Sequence, residues 1–175
     1  MIESMKNASN KTIWIILLIV LFFLLSCAST QKEKTELRDA EFYFNRGVTS
    51  YKKGQLDQAI SDYTKALEIN PRYATAYSNR GVSYAIKGQL DQAISDFTKA
   101  LEINPRYAEA YYSRGVAFYF KRECGKSWKD VEKAQSLGHQ IDPKFLDKLR
   151  RASESKIEGK DIHTFKPKSS TSDMA

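Results

Sequence analysis

The sequence predicts an all-α chain, an α-solenoid of three helical hairpins closed by a C-terminal capping helix. Three observations carry this. First, a 34-residue unit is written twice: Ala40–Tyr73 laid over Ala74–Tyr107 agrees at 26 of 34 positions, and a third, worn copy follows at Ala108–Ile141. A fixed period of this length signals stacked units, each of which buries its apolar face only against its neighbours. Second, Leu56, Ala59, Ile60, Tyr63 and Leu67 recur at helical spacing, as do Leu90, Ala93, Ile94, Phe97 and Leu101. Third, each of these runs is punctuated in register by Lys-Gly-Gln before it (Gly54, Gly88) and Asn-Pro-Arg-Tyr after it.

The elements follow in chain order. Met1–Thr12 is polar and carries Lys6 and Lys11; Ile13 to Leu25 is a run of thirteen apolar residues. A helix needs about twenty such residues to span a bilayer. The shorter run suits the apolar core of a secretion signal. It ends in Leu24-Leu25-Ser26-Cys27. This resembles the lipobox of bacterial lipoproteins, in which the signal is cut before the cysteine and the cysteine becomes the lipidated first residue. The resemblance implies a signal peptide over 1–26 and lipidation at Cys27. It also implies a bacterial envelope location, lipid-anchored and facing the periplasm or exterior. Ala28 stands where lipoproteins kept at the inner membrane often have Asp, so the outer membrane is favoured. An uncut signal anchor is the alternative; either way the lysines stay cytoplasmic and the repeats face outward. Residues 27–39, polar and balanced in charge, read as the tether.

Each repeat reads as two helices. The first precedes the glycine turn, Ala40–Lys52 and Ala74–Ile86; the second follows it and stops at Asn70 or Asn104, which the following proline pushes out of helical geometry. Gly47 and Gly81 fall inside the first helices, where glycine costs roughly 1 kcal/mol, so their recurrence in register predicts close helix–helix approach. Arg46, Arg80 and Arg114 recur as well, and their stems are expected to pack while their heads reach water.

These residues resemble the tetratricopeptide repeat, with its aromatic, glycine, alanine and proline positions at fixed offsets. The first copy supplies Tyr43, Gly47, Ala59, Tyr63, Ala66 and Pro71; the second Tyr77, Gly81, Tyr84, Ala93, Phe97, Ala100 and Pro105; the third Tyr111, Gly115, Phe118 and Ala134. The resemblance covers residues 40–141, as repeats 40–73, 74–107 and a degenerate 108–141, and implies a right-handed superhelix. The third copy departs in its second half: Arg122 replaces the turn glycine, Trp128 stands at the Ile60 position and Gly125 suggests a shifted turn. Asp142-Pro143 then reads as an N-cap with proline at the first helical position, and Phe145, Leu146, Leu149 and Ala152 share a face. Residues 142–154 are therefore the expected cap, and 155–175, rich in Lys and Ser, a flexible tail.

In this family the first helices line a concave groove, at the second, fifth, ninth, twelfth and thirteenth positions of each unit. The resemblance places Glu41, Phe44, Val48, Tyr51 and Lys52, then Thr75, Ser78, Val82, Ala85 and Ile86, then Glu109, Tyr112, Val116, Tyr119 and Phe120 there, with Asn79 beside them. Seven of the eight differences between the first two copies fall on the first helix. Variation on the groove helix over a constant backing helix is what diversification of a binding surface produces. Some members hold a peptide carboxylate with a clamp of Lys, Asn and Arg. Here Phe44, Val48 and Glu109 occupy clamp positions, which argues against carboxylate capture and for a segment with apolar side chains.

The remaining composition narrows the function. The net charge of +7 is spread along the chain rather than gathered on one run, unlike a nucleic-acid binder. His139, His163 and Cys124 make no metal set, and no phosphate loop or nucleophile elbow occurs. Asp57 and Asp62 are read as solvated, and Cys124 as a small buried hydrophobe. The expectation is a non-enzymatic adaptor without cofactor, held to the membrane by lipid and binding a protein or peptide segment. The alternative is a structural lipoprotein that self-associates through its apolar groove face.

Overall fold

The computed structural model describes Phe22, Gln31 and residues 34–158, with side chains through Glu154. Among the described residues every regular element is helical. They are α1, described over 34–52, α2 (Leu56–Ile69), α3 (Ala74–Ile86), α4 (Leu90–Ile103), α5 (Ala108–Phe120), α6 (Cys124–Ser136) and α7 (Pro143–Glu158). The helices pair as three antiparallel hairpins, α1 with α2, α3 with α4 and α5 with α6. Each hairpin stacks on the next, and α7 closes the stack. The fold is an all-α solenoid, as the repeat period demands. None of the described helices is long and apolar enough to cross a membrane. Cys27, the apolar run apart from Phe22, and residues 159–175 lie outside the described residues.

Two boundaries differ from expectation. Residues 34–39, read as tether, are helical and continuous with α1. Glu36, Leu37 and Arg38 are good helix formers, and extending an existing helix avoids the cost of nucleating a new one. The Thr35 hydroxyl also donates to the Gln31 carbonyl at 3.0 Å. At the other end α7 continues past residue 154 to Glu158. Its start is as read: the Asp142 carboxylate accepts from the Lys144 N–H at 2.9 Å.

The helix pairs approach closely where glycine recurs. A Cβ built on Gly47 would stand 2.7 Å from the Tyr63 ring, and one on Gly81 2.9 Å from the Phe97 ring. In the third repeat Val131 replaces the ring, and the contact to Gly115 relaxes to 3.1 Å. The turn between paired helices needs positive φ, which Gly54 (74°) and Gly88 (77°) supply. Arg122 takes the same conformation at φ 61°, so the third turn keeps its register. Gly125 is an ordinary helical residue of α6, and the shifted turn read from it is not formed. Tertiary stacking fixes where α6 must begin, and it overrides the local preference for glycine.

The recurring arginines direct their heads to an acid rather than to water alone, Arg80 and Arg114 largely buried and Arg46 still partly exposed. Arg46, Arg80 and Arg114 each fork onto the carboxylate sixteen residues later: Arg46 to Asp62 at 2.5 and 3.0 Å, Arg80 to Asp96 at 2.7 and 2.8 Å, Arg114 to Asp130 at 2.7 and 2.8 Å. Asp62 is fully buried, which corrects its reading as a solvated acid. Burial by itself would raise the Asp62 pKa. The hydrogen bonds from Arg46 and Gln58, with the Arg46 charge, outweigh burial and hold it below the usual carboxylate range. Each inner arginine also bridges to the preceding repeat, Arg80 to the Thr64 hydroxyl at 2.9 Å and Arg114 to Thr98 at 3.1 Å. The pair therefore ties the two helices of a hairpin and one hairpin to the next. Asp57 is a true surface acid that meets Lys87 of the following repeat, as Asp91 meets Lys121.

Candidate protein-docking groove

The first helices α1, α3 and α5 carry the predicted lining residues, and α3 and α5 enclose an apolar cavity of about 430 Å³. Val82, Ala85 and Ile86 of α3 form one wall, and Tyr112, Ser113, Val116, Ala117 and Phe120 of α5 the other; Leu90 and Phe97 of α4 form the floor. Phe97, Ala93 and Ala117 belong to the buried core, so the floor is rigid. The rim is not buried. Ile86 is 58% exposed and Phe120 65%, at matching C-terminal ends of their helices.

The cavity has a local cause. Position twelve of the repeat is Tyr51 in the first copy and Tyr119 in the third, but Ala85 in the second. The missing ring leaves open the volume over Leu90 and Phe97. This comparison between copies was the signal for the floor residues Leu90 and Phe97, which sequence reasoning assigned to packing alone. Ser113 and Ala117, one residue round from the predicted stripe of α5, were missed for the same reason.

The structure distributes the predicted site residues unevenly. Val82, Tyr112, Val116 and Phe120 line the cavity together. Phe44, Val48, Tyr51, Ser78, Asn79 and Tyr119 are not part of it. The Phe44 ring lies 4.8 Å from Tyr73 and 5.8 Å from Tyr63, against its own repeat. Val48 and Tyr51 are half-buried on α1. Ser78 is buried near the Tyr107 hydroxyl, and Asn79 lies near that of Tyr63. Tyr119 meets the edge of Phe145 on α7 at 5.5 Å and lies beside Phe120. Tyr112 is shared: it lines the cavity while its ring stacks on His139 at 4.8 Å and meets Phe145 at 5.8 Å. The single aromatic groove read from Phe44 to Phe120 is thus divided: Tyr112 and Phe120 face the cavity, whereas Phe44 and Tyr119 lie against Tyr73 and Phe145 of the same chain.

Acids edge the N-terminal side of the concave face. Burial pushes the Tyr73, Tyr107 and Tyr112 hydroxyls above their usual pKa, and the charges of Glu41, Glu109 and Asp142 respectively push further in the same direction. These phenols stay protonated at neutral pH, and Tyr112, which lines the cavity, can donate a hydrogen bond there. Among the described residues no three His, Cys, Asp or Glu side chains come together as a metal site would require. The arrangement offers shape, apolar surface and a few donors, with no nucleophile poised beside a base.

Comparison with known proteins fits this geometry. The TPR repeat family model matches residues 49–86 and 83–121. The first TPR of Spaghetti (RPAP3), solved bound to the HSP90 peptide SRMEEVD, is 27% identical over 68% of this chain and 94% of that one, with a TM-score of 0.63. The TPR domain of Arabidopsis OM64 is 26% identical over 71% and 98%, with a TM-score of 0.61. MamA is 30% identical over 58% of this chain and 59% of that one, with a TM-score of 0.56. No curated protein matches the chain in sequence.

Proposed function

We propose that the chain is a tetratricopeptide-repeat adaptor that holds a segment of another protein in the cavity between α3 and α5 while lipid on Cys27 tethers it to the bacterial cell envelope. Repeats of this kind are protein-interaction modules, and the RPAP3 relative was solved with a peptide bound. The observation that carries the reading is the open cavity itself. A rigid apolar floor, with Ile86 and Phe120 exposed at its rim, is a surface that a soluble monomer rarely leaves uncovered. The fit is to an apolar anchor residue of the partner, because the lining offers hydroxyls but no cationic clamp. The anchor rests on Leu24-Leu25-Ser26-Cys27 and the short apolar run before it. The outer membrane is the favoured address.

The test uses photocross-linking in intact cells with benzoylphenylalanine at position 86. The expected result is one discrete adduct with another polypeptide, lost when Ala85→Tyr refills the cavity with the residue both neighbouring copies already carry there. Equal yield from the exposed back of the array, at Lys99, would refute the groove reading. Metabolic lipid labelling tests the anchor separately: Cys27→Ser should abolish it, and continued acylation would remove that site. An adduct consisting of two copies of this chain would favour the self-associating alternative.

A further inference from the structure

We infer that the chain's own C-terminal segment, through Ile162 and Phe165, occupies the cavity between α3 and α5 when no partner is bound, so that partner and tail compete for one site. This rests on the groove reading and specifies its regulation.

The argument begins with direction. Phe145, near the start of α7, lies against Tyr112 and Tyr119 of α5. Ser153, two turns later, receives the Trp128 indole N–H at 3.0 Å. Trp128 is one turn inside α6, whose start follows the end of α5 after the three residues Lys121 to Glu123. Helix α7 therefore runs alongside α5 in the same sense and finishes, at Glu158, on the side where Phe120 and Ile86 stand exposed.

Length comes next. Gly159 directly follows α7, and glycine after a helix allows the chain to reverse. Ile162 is four residues past Glu158 and Phe165 seven. Extended chain reaches about 14 Å and 24 Å over those lengths. Packed helices stand about 8–10 Å apart, so a cavity on the far side of α5 from α7 lies within that reach. In residues 159–175 the large apolar side chains are Ile162, Phe165 and Met174, and the first two fall at this distance. The tether makes the contact intramolecular, with an effective concentration on the order of millimolar, so even a weak contact is populated. The cavity takes two apolar side chains without any charged partner, which suits Ile162 and Phe165 provided that Asp161 and Lys166 on either side of them stay in water.

The experiment uses the full chain, purified and dilute, with benzoylphenylalanine at position 120. Phe120 is exposed, and Ile162 and Phe165 lie beyond the last described helix, so the fold tolerates all three changes. After irradiation and digestion, the expected adduct joins position 120 to the peptide containing Ile162 and Phe165. Its yield should fall at least about fivefold in the Ile162→Glu, Phe165→Glu double variant, and equally in Ala85→Tyr. In cells the same double variant should raise the adduct with other polypeptides. An adduct made only with another chain, whether a partner or a second copy, would overturn the tail's role while leaving the groove as a docking site. Absence of any adduct from position 120, in cells and in isolation, would overturn both. A tail adduct whose yield the double variant leaves unchanged would also refute the inference, because the contact would not pass through those side chains.

Discussion

Gly81→Ala tests the closeness of helix packing that the whole stack depends on. In an open helical position, replacing glycine by alanine should stabilise the fold by about 0.5–1 kcal/mol, because alanine loses less backbone entropy. Gly125 is such a position: a Cβ there meets nothing within 4 Å. At Gly81 the same methyl would stand 2.9 and 3.0 Å from the Phe97 ring and 3.2 Å from the Ala93 carbonyl oxygen. Phe97 is buried at the cavity floor and the carbonyl belongs to helix backbone, so neither can move cheaply. Overpacking of this kind costs about 1–3 kcal/mol, which outweighs the propensity gain and leaves a net loss of about 1 kcal/mol. Gly115 should fall between, since its nearest contact is Val131 at 3.1 Å. Urea denaturation of the three single variants measures this directly, with the midpoint shifting at constant slope. The expected order of stability is Gly125→Ala above the parent, Gly115→Ala near it and Gly81→Ala below. If Gly81→Ala is as stabilising as Gly125→Ala, the close approach of α3 and α4 is wrong. In a Gly81→Ala, Phe97→Val double variant the two losses should add to less than their sum, because removing the ring removes the clash with the added methyl.

Other outcomes follow from the same contacts. Tyr63 is buried, and burial raises its pKa from 10.0 to about 12, opposed by the nearby Asn79 side chain. Its folded pKa lies above the unfolded one, so its stabilisation is intact below pH 10 and disappears as pH rises through 12. Tyr63→Phe, which copies the second repeat, should flatten stability against pH in that window, and an unchanged slope would refute the assignment. Asp96→Ala leaves the Arg80 guanidinium largely buried without its carboxylate and should cost about 2–4 kcal/mol, read as a fall in the thermal midpoint. Gly88→Ala puts a side chain at φ 77° and should cost about 1–2 kcal/mol, although nothing lies within 4 Å of the added methyl.

The period of the repeat, the helical spacing of its apolar residues and its Gly and Pro punctuation were enough to place α2 to α5 and the start of α7, while α6, which lacks that punctuation, begins before the turn read from Gly125. Those features are local, and each copy repeats the same instruction. The groove was legible by resemblance as a face, through the positions assigned to α1, α3 and α5. Its actual opening was decided by volume: Ala85 between two repeats that carry tyrosine, over a floor supplied by a different helix. Volume is a property of what surrounds a residue, and a linear reading cannot add it up. Phe44 and Tyr119 illustrate the same limit, since neighbours distant in sequence, Tyr73 and Phe145, cover them.

The recurring arginines divide most plainly between what sequence determined and what tertiary structure decided. Sequence determined that Arg46, Arg80 and Arg114 return with every unit, and that Asp62, Asp96 and Asp130 return sixteen residues later, even in the worn third copy. Only the folded stack turned that coincidence of spacing into forked ion pairs whose carboxylates are buried. Antiparallel packing folds sixteen residues back on themselves, and an arginine stem long enough to reach water is also long enough to reach a carboxylate on the facing helix. Where water is excluded, the carboxylate is the partner that keeps both charges satisfied.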